Sequence, residues 1–334
     1  MLTNPYQNVS FVNALRIQSV SHAHTRGNVP EGGSLFPTSE PEKIQMLYSH
    51  GIRHFAISNY HPSAPTYPLI EHWPDKPSDA IGCPNAEYYD FSRSTTNPQG
   101  YPLHANCIGG TLVNYGMHVP WTVGFLQMLN TLILEDGGGI TINHPYYSET
   151  PISTDVACAM LDFDDRVLGI EVYNGDANSP ETADETPMWD KILLTGRRCW
   201  GFGVPDWGAY NGGQWKGRNI LLVDEATENA CLRAYRNGEF YVAYYGSGLT
   251  FTSIEANDSG ISVSTNGATA IHIFVDGVKT EYSTSNAVKR FSSVPIYARV
   301  EAFDQTGERI MSQPIIFRKP DNTDETTVTI MSES

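Results

Sequence analysis

The run Val123 to Asp136 (VGFLQMLNTLILED) passes directly into Gly137-Gly138-Gly139 and then into Ile140-Thr141-Ile142-Asn143-His144-Pro145. Its apolar density over fourteen positions predicts a long helix at 123–136. The glycines stop that helix, and the apolar triplet after them is short enough to be only a buried strand. The same alternation recurs on both sides. Ile17 to Val20 reads as a strand, Pro41 to His50 as a helix with Gly51 as its stop, and Arg53 to Ser58 as a strand. Further on come the strand Val167 to Val172, the helix Met188 to Thr195 stopped by Gly196, and the strand Cys199 to Val204. The helix Glu225 to Asn237 and the strand Glu239 to Tyr245 close the series. Strand–helix alternation of this kind predicts a parallel α/β architecture.

Beyond Gly246-Ser247-Gly248 helical periodicity disappears. Thr250–Ile254, Ile261–Ser264, Ala270–Val275, Ile296–Phe303 and Pro314–Phe317 are short, alternating or β-branched runs. Turns such as Asn266-Gly267 and Asp276-Gly277 separate them, which predicts a small antiparallel β-sandwich. The expected division is therefore 1–245, an accessory β-domain at 246–319, and a polar tail at 320–334.

Lys and Arg number 21 against 37 Asp and Glu, a formal charge of −16, so the basic face that a nucleic-acid duplex requires is missing. An anionic membrane surface is disfavoured for the same reason. No apolar run reaches the ~18–20 residues of a membrane span. Five scattered cysteines without a C-x-x-C pair argue against a disulfide framework or a zinc ribbon. These features, with an N-terminus that is neither basic nor apolar, lead to the expectation of a cytoplasmic protein.

The chemistry concentrates in the histidines. His22 and His24 end the first strand two residues apart, so both face one side, where two imidazoles can share a metal. His144 follows the strand ending at Ile142, and Asp206 follows the strand ending at Val204. Each lies just past the carboxyl end of a strand, where α/β enzymes build their sites. Glu87-Tyr88-Tyr89 and Tyr101-Pro102-Leu103-His104 read as a further strand pair. Alone, a His before a Pro is a turn residue and a Glu is a solvated carboxylate; a common address at one sheet end sets these apart. His50, His54, His72, His118 and His272 keep the ordinary reading of packing or surface residues.

In order along residues 4 to 245, these motifs resemble the polymerase-and-histidinol-phosphatase (PHP) superfamily, closest to its stand-alone metallohydrolases with a C-terminal β-domain. The residues that carry the likeness are His22-Ala23-His24-Thr25, the strand leading to His61, then Glu87 and His104, Gly138 to Pro145, Gly169 to Asn174, and Trp200 to Asp206. The resemblance implies a distorted (β/α)7 TIM-like barrel with metals at its C-terminal face. It implies that His22, His24, Glu87 and Asp206 hold one metal, that Glu87, His104 and His144 hold a second with Glu87 bridging, and that His61 is left for a third. Such a shell suits Zn²⁺, Mn²⁺ or Fe²⁺.

Three departures from the family pattern fall on the third position. The loop after Thr25 is Arg26 to Gly33 in place of Ser-Asp-Gly, His61 is shifted by one residue, and Trp207 follows Asp206 where the family has a His. The expectation is thus a dinuclear site with the third position weak or absent. Two cations there would activate water against a small anionic, phosphorylated substrate, with Glu87 and Asp206 in the catalytic centre and Arg26 binding a substrate oxygen. Tyr60, Tyr146, Tyr147, Trp207 and Trp215 sit in loops at the same end, to stack on substrate or to pack the loops. The competing readings are a metallohydrolase for a carbamate or ester bond, and a non-catalytic binding protein that keeps the fold.

Overall fold

The computed structural model describes residues 2–25, 39–59, 67–89, 104–111, 120–145, 152–175, 184–206, 216–245 and 248–320. Up to residue 245 the strands are β1 (Leu15–Val20), β2 (His54–Phe55), β3 (Ile81–Gly82), β4 (Glu87–Tyr89), β5 (His104–Ile108), β6 (Gly139–Ile142), β7 (Val167–Asn174), β8 (Trp200–Val204), β9 (Arg218–Val223) and β10 (Phe240–Ala243). The helices are α1 (Glu40–Ser49), α2 (Leu69–His72), α3 (Trp121–Leu129), α4 (Thr154–Leu161), α5 (Thr186–Leu193) and α6 (Glu228–Asn237). The remainder is all strand: β11 (Thr250–Asn257), β12 (Gly260–Asn266), β13 (Ala270–Val275), β14 (Val278–Tyr282), β15 (Asn286–Arg290), β16 (Tyr297–Phe303), β17 (Arg309–Ser312) and β18 (Ile315–Ile316). Among the described residues no helix is long and apolar enough to cross a membrane.

The architecture is mixed α/β, and its strands form separate sheets. One five-stranded sheet runs β4-β5-β6-β7-β8, with β6, β7 and β8 parallel and β4 and β5 antiparallel. A long sheet carries β1-β2-β3, parallel, and continues from the other edge of β1 through β9 and β10, antiparallel. The expectation of a wholly parallel arrangement therefore fails at β5 and β9, because hydrophobic periodicity records burial and not strand direction. The two sheets meet where the histidines are. Glu87 N–H donates to Asn59 O at 3.2 Å, and Asp206 N–H donates to His22 O at 3.0 Å. β7, β8 and β9 are buried at every position, which accounts for the largely apolar runs of β7 and β8 and for Ile220 to Val223 in β9.

The helix expected at 123–136 ends at Leu129. Ile133 N–H donates to Gly109 O and Leu132 bridges Gly110, so the chain is drawn across the end of β5 before it reaches the glycines. Gly138 (φ 61°) is needed there, since a Cβ would stand 2.1 Å from Ile108 O. α6 is better behaved: Thr227 caps it by accepting from Ala230 N–H, and Gly238 closes it in the left-handed region.

The last third does not stand apart from the long sheet. β10 pairs with β17, β17 with β16, and β16 with β13, so one sheet runs through to β14. A three-stranded sheet, β11-β12-β15, covers it. Phe251, Ile254, Ile261 and Val263 from that cover share one apolar cluster with Ile220, Leu222 and Tyr241 of the first part and Ile271 and Val300 of the last. Charged groups stitch the same junction. The Arg299 guanidinium, 1% exposed, donates to both oxygens of Asp190 on α5 and to Glu301, and Arg309 pairs with Asp184 and Glu301. Gln313 donates to Gly201 O and accepts from Gly201 N–H, acting as a short surrogate strand beside β8. All five cysteines are buried and free.

Beneath the sheet end the interior is polar. Tyr235 OH donates to Ser19 Oγ (2.6 Å), and Ser19 Oγ–H in turn meets His54 Nδ1 (2.7 Å). Asn85 and Asn106 both donate to Ser21 O. Burial pushes the His54 imidazole from its ordinary 6.5 down to about 3, so it folds neutral. Between those values the unfolded chain binds the proton and the folded chain does not; stability must therefore fall as pH drops through that window, by on the order of a few kcal/mol. Urea unfolding at pH 7 and pH 5 is expected to show this loss in the wild type and a smaller one in His54→Asn; equal losses would contradict it.

Continuity of the sheet generates a second expectation. A chain ended at Tyr245 leaves β10 as a bare edge and uncovers Ile220, Leu222 and Tyr241. It is expected to aggregate or melt without a cooperative transition. A monomeric 1–245 fragment with a sharp thermal transition on circular dichroism would contradict the structural dependence.

Candidate metal centre

The two imidazoles predicted to share a metal lie two and four residues past the end of β1, and both are buried. His22 Nε2 lies 3.0 Å from His24 Nε2, 3.1 Å from Glu87 Oε2 and 3.2 Å from Asp206 Oδ1. His24 Nε2 lies 3.0 Å from Glu87 Oε2 and 3.2 Å from Asp206 Oδ1. These five separations of 3.0–3.2 Å bring four possible ligand atoms together at about the spacing of donor atoms that share one small divalent cation. Asp206 Oδ1 is buried and has no hydrogen-bond partner among the described residues, despite two nitrogens at 3.2 Å. Imidazole nitrogens and carboxylate oxygens at such spacings, with one buried oxygen lacking a hydrogen-bond partner, are a donor set of the kind that holds a divalent cation.

The other oxygen of Glu87 faces a different pair. Oε1 lies 3.0 Å from His104 Nδ1 and 3.4 Å from His144 Nε2. The first set and this one therefore share one carboxylate, whose side chain is 0% exposed. The pairing of β4 with β5 sets this up by placing Tyr89 opposite His104 and Glu87 opposite Asn106. Asn143 then donates to Glu87 Oε1 and to Asn106 Oδ1, which fixes the carboxylate.

Two of these residues sit in strained backbone. His144 (φ 20°) and Asp206 (φ 43°) have positive φ without being glycine, a conformation that concentrates at functional sites. His22, His24, Glu87, His104, His144 and Asp206 thus lie together in the structure. Arg26, His61, Trp207 and the loop tyrosines lie outside the described residues.

Two participants were given no role of their own in the sequence, although one of them lies inside the motif Gly169 to Asn174. Glu171, in the middle of β7, takes His22 Nδ1 at 2.6 Å on Oε1 and the His144 backbone N–H at 2.8 Å on Oε2. It is buried within a continuous apolar run, and a charged residue in such a run was the available clue. Lys43 on α1 is 1% exposed; burial pulls its ammonium down to about 8, against the opposing pull of Asp206.

The charges are strongly coupled. Burial disfavours the imidazolium of His22 and of His24, yet Asp206 and Glu87 outweigh it and raise both. His144 is likewise raised, to about 9, by Glu87, Glu171 and Asp206 against burial. Burial disfavours the Asp206 carboxylate too, but the imidazoles bring it down to about 2. His104 goes the other way, lowered because desolvation exceeds its bond to Glu87.

No protein-family model matches the chain, and no curated protein matches it. Among solved structures the chain is similar to a two-domain protein containing a predicted PHP-like metal-dependent phosphoesterase from Bacteroides vulgatus ATCC 8482. That likeness has 13% sequence identity and a TM-score of 0.48, over 91% of this chain and 94% of the other.

Proton competition makes the metal centre testable by pH. A ligand nitrogen must be deprotonated to bind a cation, and three of these imidazoles hold their protons above the ordinary range. Zn²⁺ affinity, measured against a competing chelator, is expected to rise by about tenfold per pH unit for each proton displaced between pH 7 and pH 8.5. A pH-independent affinity would remove these imidazoles as ligands.

Proposed function

We propose that the chain is a metal-dependent hydrolase of phosphoric esters with a dinuclear centre. The observation that carries this reading is the division of Glu87 between two ligand sets, Oε2 toward His22 and His24 and Oε1 toward His104 and His144. His22, His24, Glu87 and Asp206 would hold one cation; Glu87, His104 and His144 would hold the other. Zn²⁺, Mn²⁺ and Fe²⁺ all suit this mixed shell. Bound there, the cations would supply a nucleophilic hydroxide at neutral pH and Lewis-acid polarisation of a phosphoryl oxygen.

The chain's own residues do the rest. Glu87 places negative charge between the two cation positions, which offsets their mutual repulsion. Asp206 closes the first position from β8, and Asn143 and Asn174 orient the two carboxylates by donating to Glu87 Oε1 and Asp206 Oδ2. Arg26 is assigned to a phosphate oxygen of a small anionic substrate, since its fork matches that geometry. His61 is the remaining candidate for a third cation, which this reading leaves weak or unfilled. The ordered motif series supports the phosphoester bond, and it supports viewing the two sheets, joined at Glu87 and Asp206, as a distorted seven-stranded barrel. In the same reading the barrel is 1–245, while 246–319 is an accessory β-domain that buttresses it.

Metal analysis with a panel of phosphomonoesters, phosphodiesters, carboxylic esters and carbamates tests the proposal. About two metal equivalents and turnover of a phosphate ester are expected. Metal with turnover of only a carbamate or ester moves the activity to that bond, and metal with no turnover leaves a binding protein. Glu87→Gln keeps the shape but removes the shared charge, so both equivalents are expected to weaken together and turnover to fall by at least 10²-fold. Two fully retained equivalents in that variant would contradict the bridge.

A further inference from the structure

We propose that Glu171 is a positioning residue that couples the two cation positions without binding either cation, an inference that rests on the metal-centre reading above. Glu171 is 1% exposed and lies at the centre of the fully buried β7, between β6, which leads to His144, and β8, which leads to Asp206. From that strand its side chain reaches the end of β6 directly and the end of β8 through Asn174. Oε1 accepts from His22 Nδ1 (2.6 Å), which leaves Nε2 of that ring aimed into the first set. Oε2 accepts from the His144 backbone N–H (2.8 Å), at the strained residue that serves the second set. Oε2 also accepts from Asn174 Nδ2 (3.1 Å), and the same amide nitrogen donates to Asp206 Oδ2 (2.9 Å).

Distance separates this role from ligation. His22, His144 and Glu171 are close enough to be considered a metal group of their own. Two ligand atoms on one Zn²⁺, each at ~2.0–2.1 Å, stand more than ~3 Å apart in a tetrahedral shell. The 2.6 Å between His22 Nδ1 and Glu171 Oε1 leaves no room for an ion and matches a charge-assisted hydrogen bond. Both oxygens of Glu171 are already filled by donors. Three donors converge on it, so an amide in its place, with one acceptor end and one donor end, must turn N–H toward N–H at one of them.

Glu171→Gln tests the coupling. Zn²⁺ affinity at both positions is expected to fall 10- to 100-fold, measured by chelator competition, with both equivalents still reached at saturation. In ¹⁵N-histidine-labelled protein the strongly hydrogen-bonded Nδ1–H of His22 should be present in the wild type and lost or displaced in the variant, a signal that general loosening of β7 does not produce selectively. Loss of one equivalent with the other unchanged would overturn the proposal by making Glu171 a ligand. Unchanged affinities with an unchanged His22 proton would overturn it by making the residue mere packing. If Glu171→Gln does not fold, Asn174→Ala removes only the Asp206 arm: the first position should weaken while the second holds, and no change in the first would count against the network. A wild-type chain that takes up no metal would instead bring down the reading beneath, and is told apart by that measurement alone.

Discussion

A carboxylate with no exposure to water governs this structure. Glu87 is buried completely, and an unpaired ionised carboxylate in that setting costs far more than the stability of a whole domain. It is held ionised, well below the ordinary carboxylate range despite burial, by His22, His104 and His144 around it. Those imidazoles come from the ends of β1 and β6 and from the start of the antiparallel β5, so the carboxylate's neutralisation requires three strands to meet at one place. The antiparallel pairings of β5 with β4 and β6, and the backbone bond from Glu87 N–H to Asn59 O, bring them there. Charge balance and topology are in this sense one constraint.

That constraint spreads outward through amides. Asn85 and Asn106 satisfy the Ser21 carbonyl at the point where β1 stops pairing, which lets the next residues turn their rings inward. Asn219 accepts from Gly203 N–H, and Gln313 brackets Gly201, so β8 is pinned from both sides before it delivers Asp206. Gln313 belongs to the last third of the chain. The β-rich part therefore acts on the metal centre at one remove, by fixing the strand that carries Asp206, and its buried Arg299–Asp190 and Arg309–Asp184 pairs hold the neighbouring α5 in place.

The sequence made the local elements legible where burial is one-sided or punctuation is strong. Gly139–Ile142 and Ala270–Val275 occupy the residues expected of them; of the site residues, His22, His24, His144 and Asp206 follow strand ends, while Glu87 and His104 open the β4 and β5 strands. Arg218–Val223 escaped as a strand because its arginine and asparagine head, facing Gln18 and Gly203, reads as a loop. Arg309–Ser312 escaped similarly: its arginine is buried only through partners distant in sequence, Asp184 and Glu301. Strand direction was legible for β6 to β8 and for the antiparallel last third but not at β5 and β9, and the joining of β10 to β17 was not legible. Both depend on pairing across long separations, which alternation along one segment does not encode. Glu171 illustrates the same limit within the site, since its three donors come from His22, His144 and Asn174 on different segments.

The first ligand set is crowded as a hydrogen-bonded cluster. Burial disfavours the imidazolium of His22 and of His24, and Asp206 and Glu87 raise both against it. Their Nε2 atoms are 3.0 Å apart, and each also lies 3.0–3.2 Å from Glu87 Oε2 and Asp206 Oδ1. Two ring nitrogens thus face the same two carboxylate oxygens, and Asp206 Oδ1 still has no hydrogen-bond partner among the described residues. Under the metal-centre reading a divalent cation would take the place of protons as the partner of these lone pairs, so the candidate site and the charge balance of the buried carboxylates are one question.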